Sequence, residues 1–278
     1  MPLPEQKDSP SGYALGHHDD EIRRLQKQGA FMEPFTRRWL VKAKIEPGMT
    51  VLDLGTGAGD VALLLAELVG PAGRVIGIDR SAAVLEVARR RAQAAGLDNV
   101  SFLAGDVHEL DCDGVFDAVA GRFILFHVKE PAAMLRKLVG RLKPAAVVAF
   151  QDYNLYGLDA YPPSELYTRA KGWIAQGFLA GGADPSVGLK IGAIFHEAGL
   201  PRPRLLCETS MSADLAWEVY DHIAMVIRTL APVLTKTGLA SAEEIGIDTL
   251  ADRLRHDVAG KGGVGRGPDI VSAWTRLA

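Results

Sequence analysis

Three glycines spaced two apart, Gly55, Gly57 and Gly59, join an apolar run to a second one in 51-VLDLGTGAGDVALLLAEL-68. Residues without a Cβ permit a tight turn and let a ligand lie against the backbone. A helix beginning there would point its free N–H groups at that ligand. Carboxylates surround the turn: Asp53 within the first run, Asp60 just after the glycines, and Asp79 closing the next apolar run. Asp79 follows Gly59 at the separation from which a carboxylate accepts hydrogen bonds from both hydroxyls of a ribose. The turn therefore reads as the seat of a nucleoside-containing ligand.

The glycine spacing is G-x-G-x-G followed by an acid, not the G-x-G-x-x-G that makes room for a pyrophosphate. Neither Asp53 nor Asp60 has a Lys or Arg beside it in sequence to offset its charge. A cationic ligand suits that field better than a dinucleotide. S-adenosylmethionine, with a sulfonium and an ammonium and no phosphate, fits it.

Alternating elements position these residues. Short β-branched runs predict buried strands at 50–54, 74–79, 100–106, 116–125 and 146–152, and the segments 59–69, 81–95 and 131–142 predict helices between them. Such alternation implies right-handed crossovers and a doubly wound, mostly parallel sheet in an α/β fold. Before it, Ile22, Leu25, Phe31, Met32, Phe35 and Trp39 recur at helical spacing, capped at Asp19 or Asp20 and stopped by 46-EPG-48. After it, helices are predicted at 164–181, 186–198, about 215–234 and about 241–259, with strands at 203–210 and 269–278 and a flexible glycine-rich connection, 260-GKGGVGRG-267.

The chain resembles the class I S-adenosylmethionine-dependent methyltransferases. The motifs are VLDLGTGAGD for the first strand and turn, Asp79 for the ribose acid, 105-GDVHEL-110, 116-FDAVAGRFILFHV-128 and 142-LKPAAVVAFQD-152. One departure is 144-PAA-146, where the family usually has proline followed by glycines. The resemblance implies a seven-stranded Rossmann-like sheet with helical lid insertions. It implies that Gly55, Thr56 and Gly57 line the methionine portion of the cofactor, with Asp53 near its ammonium. Asp79 would hold the ribose with Arg80 beside the adenine, Asp106 and Val107 the adenine itself, and Gly121 and Arg122 the carboxyl end. A subset of small-molecule methyltransferases also covers the cofactor with a helix ahead of the core, from which Tyr13, Gln28 and Arg38 would reach it. The expected organisation is one domain: leader and cap helices over 1–44, the cofactor-binding core over 45–152, a lid insertion over 153–185, the last core helix and strand over 186–210, a helical lid insertion over 211–267 and a closing strand over 268–278.

Every Tyr and Trp lies outside 45–152, so aromatic residues either line an acceptor pocket under that lid or simply fix its helices to the sheet. A general base is needed only if the nucleophile must shed a proton. His127, Asp152 and Tyr153, near the carboxyl edge of the strands, are the candidates, with His222 a further one. The acceptor is expected to be a small, partly apolar or aromatic metabolite. A protein that binds S-adenosylmethionine without transferring its methyl, and an NAD(P)-dependent oxidoreductase, are the rival readings.

Bulk composition narrows the partners. A net charge of −3 on 278 residues leaves no basic footprint for nucleic acid or an anionic membrane. Two cysteines, Cys112 and Cys207, make neither a disulfide framework nor a metal site. With no secretory pattern in MPLPEQKDSPSGY, the expected location is the cytosol. The cluster 17-HHDD-20 has metal-ligand types, but adjacent side chains diverge and no metal is expected; 89-RRRAQ reads as a solvated helix face. The apolar face of 215–234 suits a homodimer contact as well as a lid.

Overall fold

The computed structural model describes residues 19–107, 109 and 115–278, and within the opening helix the side chains of residue 29 and of residues from 31 onward. The elements are α1 (Asp19–Lys42), β1 (Thr50–Leu54), α2 (Asp60–Val69), β2 (Arg74–Asp79), α3 (Ala82–Ala94), β3 (Val100–Ala104), β4 (Phe116–Arg122), α4 (Pro131–Val139), β5 (Leu142–Asn154), β6 (Asp159–Tyr161), α5 (Glu165–Ala180), α6 (Val187–Glu197), β7 (Arg204–Glu208), β8 (Met211–Ser212), α7 (Val219–Lys236), α8 (Ala242–Ile245), α9 (Leu250–Val258), β9 (Val264–Arg266) and β10 (Asp269–Arg276).

Seven strands form one sheet in the order β3-β2-β1-β4-β5-β10-β7. The first five run parallel, and β10 is antiparallel to both of its neighbours, β5 and β7. Alternate strand residues feed two cores, as the period of two requires. Val51, Val75, Ala118 and Ala149 pack with Trp39, Leu65 and Leu85 of α1, α2 and α3. Leu52, Leu54, Ile76 and Phe150 pack on the other face with Leu135, Phe195 and the helices α5 and α7. Both faces are covered, which is why these strands read as apolar throughout. Strand order reverses between β1 and β4, so a crevice opens beyond their carboxyl ends.

Several boundaries differ from the sequence reading. Strand β4 ends at Arg122, because Phe123 takes a left-handed backbone (φ 55°) and a turn of 3-10 helix follows over Leu125–His127. Strand β5 is longer at both ends, and the departure at 144-PAA-146 appears as a left-handed Ala145 (φ 59°) beside an irregular register between β4 and β5. The predicted helix 241–259 breaks into α8 and α9 at Gly246 (φ 52°).

The glycine-rich stretch 260–267 is not merely a connection. Its VGR forms β9, the centre of a second, antiparallel sheet of order β6-β9-β8. A Cβ on Gly265 would stand 2.5 Å from the Trp217 ring, so glycine is there for close approach. The apolar face of α7 is also spoken for: Val219, Ile223, Ile227, Leu230 and Leu234 are buried in the core shared with α5 and α9, which removes the argument for a dimer contact there. Leu215 precedes the helix and is exposed. No helix among the described residues is long and apolar enough to cross a membrane.

Candidate active site

The turn between β1 and α2 is built on three left-handed glycines, Gly55 (φ 65°), Gly57 (φ 52°) and Gly59 (φ 87°), a conformation that L side chains rarely adopt. Thr56 N–H donates to the Ile78 carbonyl at 2.9 Å and Gly57 N–H to Asp79 Oδ2 at 3.0 Å. Asp79 Oδ1 accepts from Ser81 N–H at 2.9 Å, while the Ser81 hydroxyl caps α3 by accepting from Val84 N–H. One carboxylate thus locks the turn to the second strand while keeping further lone pairs for a ligand.

Asp60, at the start of α2, is compensated after all. Its oxygens pair with Arg91 at 2.7 Å and Arg122 at 3.1 Å, partners that the sequence places far away. Arg122 also donates to the Thr36 hydroxyl at 2.9 Å; Thr36 in turn bonds Gln151, and Gln151 bonds Ser272. This chain of buried polar groups fastens α1 across β5 to β10. Arg38, expected at the cofactor, pairs instead with Glu208 at 2.8 Å.

Asp53 is different. It is 1% exposed, neither carboxylate oxygen has a hydrogen-bond partner, and the Thr56 hydroxyl above it is likewise unsatisfied. Burial pushes its pKa up to about 7, eased by nearby Thr56 and by the Arg122 charge and aggravated by Asp79 and Asp60. A buried carboxyl costs stability when it ionises, and a positive charge brought near it across the turn would favour the ionised form.

One continuous cavity runs from this turn to the helices. At one end it is lined by Gly55, Thr56, Gly57, Asp79, Arg80, Asp106 and Val107, with Arg122 beside them. The structure therefore brings most of the predicted cofactor residues together. Asp53 lies beneath the turn and does not line the cavity, and Gly121 is packed away, where a Cβ would stand 2.7 Å from the Phe150 ring. Tyr13 and Gln28 lie outside the described residues.

At the other end the walls are Phe126, Leu155, Leu158, Ile174, Phe178, Ile223 and Val226, with His127, Tyr153 and His222 supplying polar edges. Phe123 stands between the two ends. Its ring stacks on Tyr153 at 3.9 Å and 10°, with the Arg122 guanidinium 5.5 Å from its centroid.

Asp152 does not reach this cavity. It is fully buried, with Oδ2 accepting from Leu125 N–H at 3.0 Å and Oδ1 from Tyr153 N–H at 3.2 Å. Burial pushes its pKa up to about 8 against those bonds. Its address is that of a clamp on the 3-10 turn carrying Phe126 and His127, not of a base facing an acceptor.

Of the two readings of the Tyr and Trp residues, fixing the helices holds for most of those described. Of the described Tyr and Trp residues only Tyr153 lines the cavity; Tyr167 donates to the Arg266 carbonyl, Trp217 to Ser210, and Trp39 is buried on the opposite sheet face. The aromatic walls are Phe123, Phe126 and Phe178. The first two sit in 116-FDAVAGRFILFHV-128, Phe123 within the predicted strand 116–125 and Phe126 just past it; nothing in the sequence marks Phe178 apart from its place on α5.

A family model described as a methyltransferase domain matches residues 45–178. A 2-phytyl-1,4-naphtoquinone methyltransferase of Synechococcus elongatus is 43% identical over 121 residues, 42% of this chain and 52% of that one. An uncharacterized 37.1 kDa protein in a Streptomyces fradiae transposon is 33% identical over 171 residues, 60% of this chain and 48% of that one. The chain thus spans about half the length of the curated relatives it matches. A putative methyltransferase structure from Bacillus halodurans superposes with a TM-score of 0.58 at 18% identity, covering 87% of this chain and 97% of that one, and shows the shared fold. The glycine turn, the reversal of strand order and the match to a methyltransferase-domain model coincide on one segment of the chain, residues 45–178.

Proposed function

We propose that this protein transfers the methyl group of S-adenosylmethionine to a small apolar acceptor. The observation that carries the reading is the single cavity that joins a ribose-type acid and a glycine turn to an apolar chamber. The cofactor fits the residues present: Asp79 has spare acceptor capacity, and the orphaned, buried Asp53 suits a cationic ligand and opposes a pyrophosphate. Gly55, Thr56 and Gly57 would hold its methionine portion, and Arg80, Asp106 and Val107 would flank its adenine.

When bound, the cofactor supplies a methyl already activated for displacement. The chain's own work is alignment and exclusion of water. The closed helices α5 and α7 and the apolar walls they present serve both. The naphthoquinone methyltransferase relative is in keeping with an apolar acceptor. On this reading the partner is a small molecule rather than nucleic acid and the place of action is the cytosol, with 153–185 and 211–267 forming the lid.

Calorimetric titration tests it. S-adenosylhomocysteine is expected to bind and NAD not to. Asp79→Ala, which removes both the ligand acceptor and the lock on Gly57, is expected to weaken binding at least tenfold, about 1.4 kcal/mol. Unchanged affinity in that variant sinks the assignment.

A further inference from the structure

The acceptor end of the cavity has a chemistry of its own, and it bears on what is methylated there. Among the described residues its lining is hydrocarbon, relieved only by Tyr153 and two imidazoles, His127 and His222. No Asp, Glu, Lys or Arg among the described residues lines that end. The nearest charges are committed: Arg122 is bound to Asp60 and Thr36, and Asp152 is turned into the backbone of the 3-10 turn. From this we infer that the acceptor is an apolar molecule bearing a phenol-type hydroxyl, and that His127 takes the proton of that hydroxyl. The inference rests on the methyltransferase reading above and names the substrate class of the same site.

Three alternatives fail on charge or acidity. An aliphatic amine acceptor enters as a cation at neutral pH and would shed its solvation against hydrocarbon with no carboxylate among the described residues to meet it. A carboxylic acid would need a free cation at the same place. A thiol ionises near neutral pH with little help and gives imidazole nothing to do. Among hydroxyls, a phenol lies only about 3.5 decades of acidity above imidazole, whereas a water-like hydroxyl lies about 9 decades above it. General-base transfer to histidine closes the first gap and not the second.

His127 is held for the task. Its backbone N–H donates to the Ile124 carbonyl at 3.0 Å, Leu125 N–H is pinned by Asp152, and the Phe126 carbonyl accepts from Asp184 N–H at 2.9 Å. A turn tied at three consecutive residues keeps an imidazole in register with a substrate. In the step itself the hydroxyl proton passes to a His127 ring nitrogen, the electron pair it leaves behind forms the new bond to the methyl carbon, and the C–S bonding pair stays on sulfur as the neutral thioether. The imidazolium then returns its proton to water.

Two measurements decide the matter once S-adenosylhomocysteine binding has been verified, so that failure of the acceptor class is separate from failure of the cofactor assignment. With S-adenosylhomocysteine bound, the affinities of 2-naphthol, 2-naphthylmethylamine and 2-naphthoate are compared by calorimetry. Naphthol is expected to bind at least tenfold tighter than either charged analogue; equal or reversed affinities overturn the inference. With labelled S-adenosylmethionine, His127→Gln is expected to lower methylation of 2-naphthol about 100-fold or more. The same variant is expected to cost less than about tenfold with a nitro-substituted naphthol already ionised at the assay pH. Equal losses for both phenols, or methylation of the amine or of 2-naphthalenethiol in preference to naphthol, overturn it.

Discussion

The ionisation of Asp53 offers a sharp test of the cofactor end. Its carboxyl is buried, unpartnered and pushed up to about 7. A ligand ammonium brought within reach favours the charged form and lowers that pKa, so binding releases a proton wherever free Asp53 is protonated. The affinity for S-adenosylhomocysteine should therefore rise with pH up to about 7 and level off as Asp53 ionises unaided. At pH 5 about 1% of free Asp53 is ionised and at pH 7 about half, which makes the expected gain about 50-fold, or about 2.3 kcal/mol, if the bound pKa falls well below 5. Calorimetry in two buffers of different ionisation enthalpy should register release of about 0.9 proton per ligand at pH 6. Asp53→Asn should flatten the pH dependence and abolish the release. A slope of under threefold across pH 5 to 7, or a slope that survives in Asp53→Asn, refutes the placement of a cation beside this carboxyl.

Other expected outcomes concern the scaffold. Asp152, pushed up to about 8 from 3.8, keeps its proton in the folded state at pH values where the unfolded chain has lost it, so it subtracts stability as pH rises from about 4 to about 8, by about 6 kcal/mol across the window. Asp152→Asn removes that slope but leaves one backbone N–H without an acceptor, at about 1–3 kcal/mol. Thermal unfolding should accordingly rank the variant below the parent at pH 4.5 and above it at pH 8, and an unchanged ranking refutes the assignment of the slope to Asp152. Gly188→Ala would set a Cβ 2.8 Å from the Tyr153 carbonyl, where α6 lies against β5 and the obstacle is backbone. A loss of about 1–3 kcal/mol is expected in denaturant unfolding, together with weaker acceptor binding as Tyr153 shifts; full stability would show that the two elements can part freely.

The proposed cofactor end, the grouping of glycine turn and acids at one cavity, was legible in sequence because its signals are local. Glycines that need positive φ sit beside a buried strand, and an acid follows at the end of the next one, so type and spacing coincide within one strand-turn-helix-strand unit. The acceptor end was not, because it is made by contacts distant in the chain. Ile174, Phe178, Ile223 and Val226 meet only once α5 and α7 fold over β5, and their helical spacing reads as core. Tyrosine and tryptophan content pointed to the lid and was mostly spent on holding it together, as the bonds of Tyr167 and Trp217 show. The compensation of Asp60 by Arg91 and Arg122 crosses three elements and leaves no sequence trace. Strands β6, β8 and β9, at two or three residues each, are too short for a period of two to register.

Strand β10 comes after every element it separates, yet lies between β5 and β7 and pairs with β5 from Asn154 to Val147. During synthesis the strand that carries Asp152 and Tyr153 must wait, one edge bare, until residues 269–276 leave the ribosome. Release of the chain short of residue 269 would yield a polypeptide with every cofactor-turn residue in place and an open, apolar strand inviting self-association.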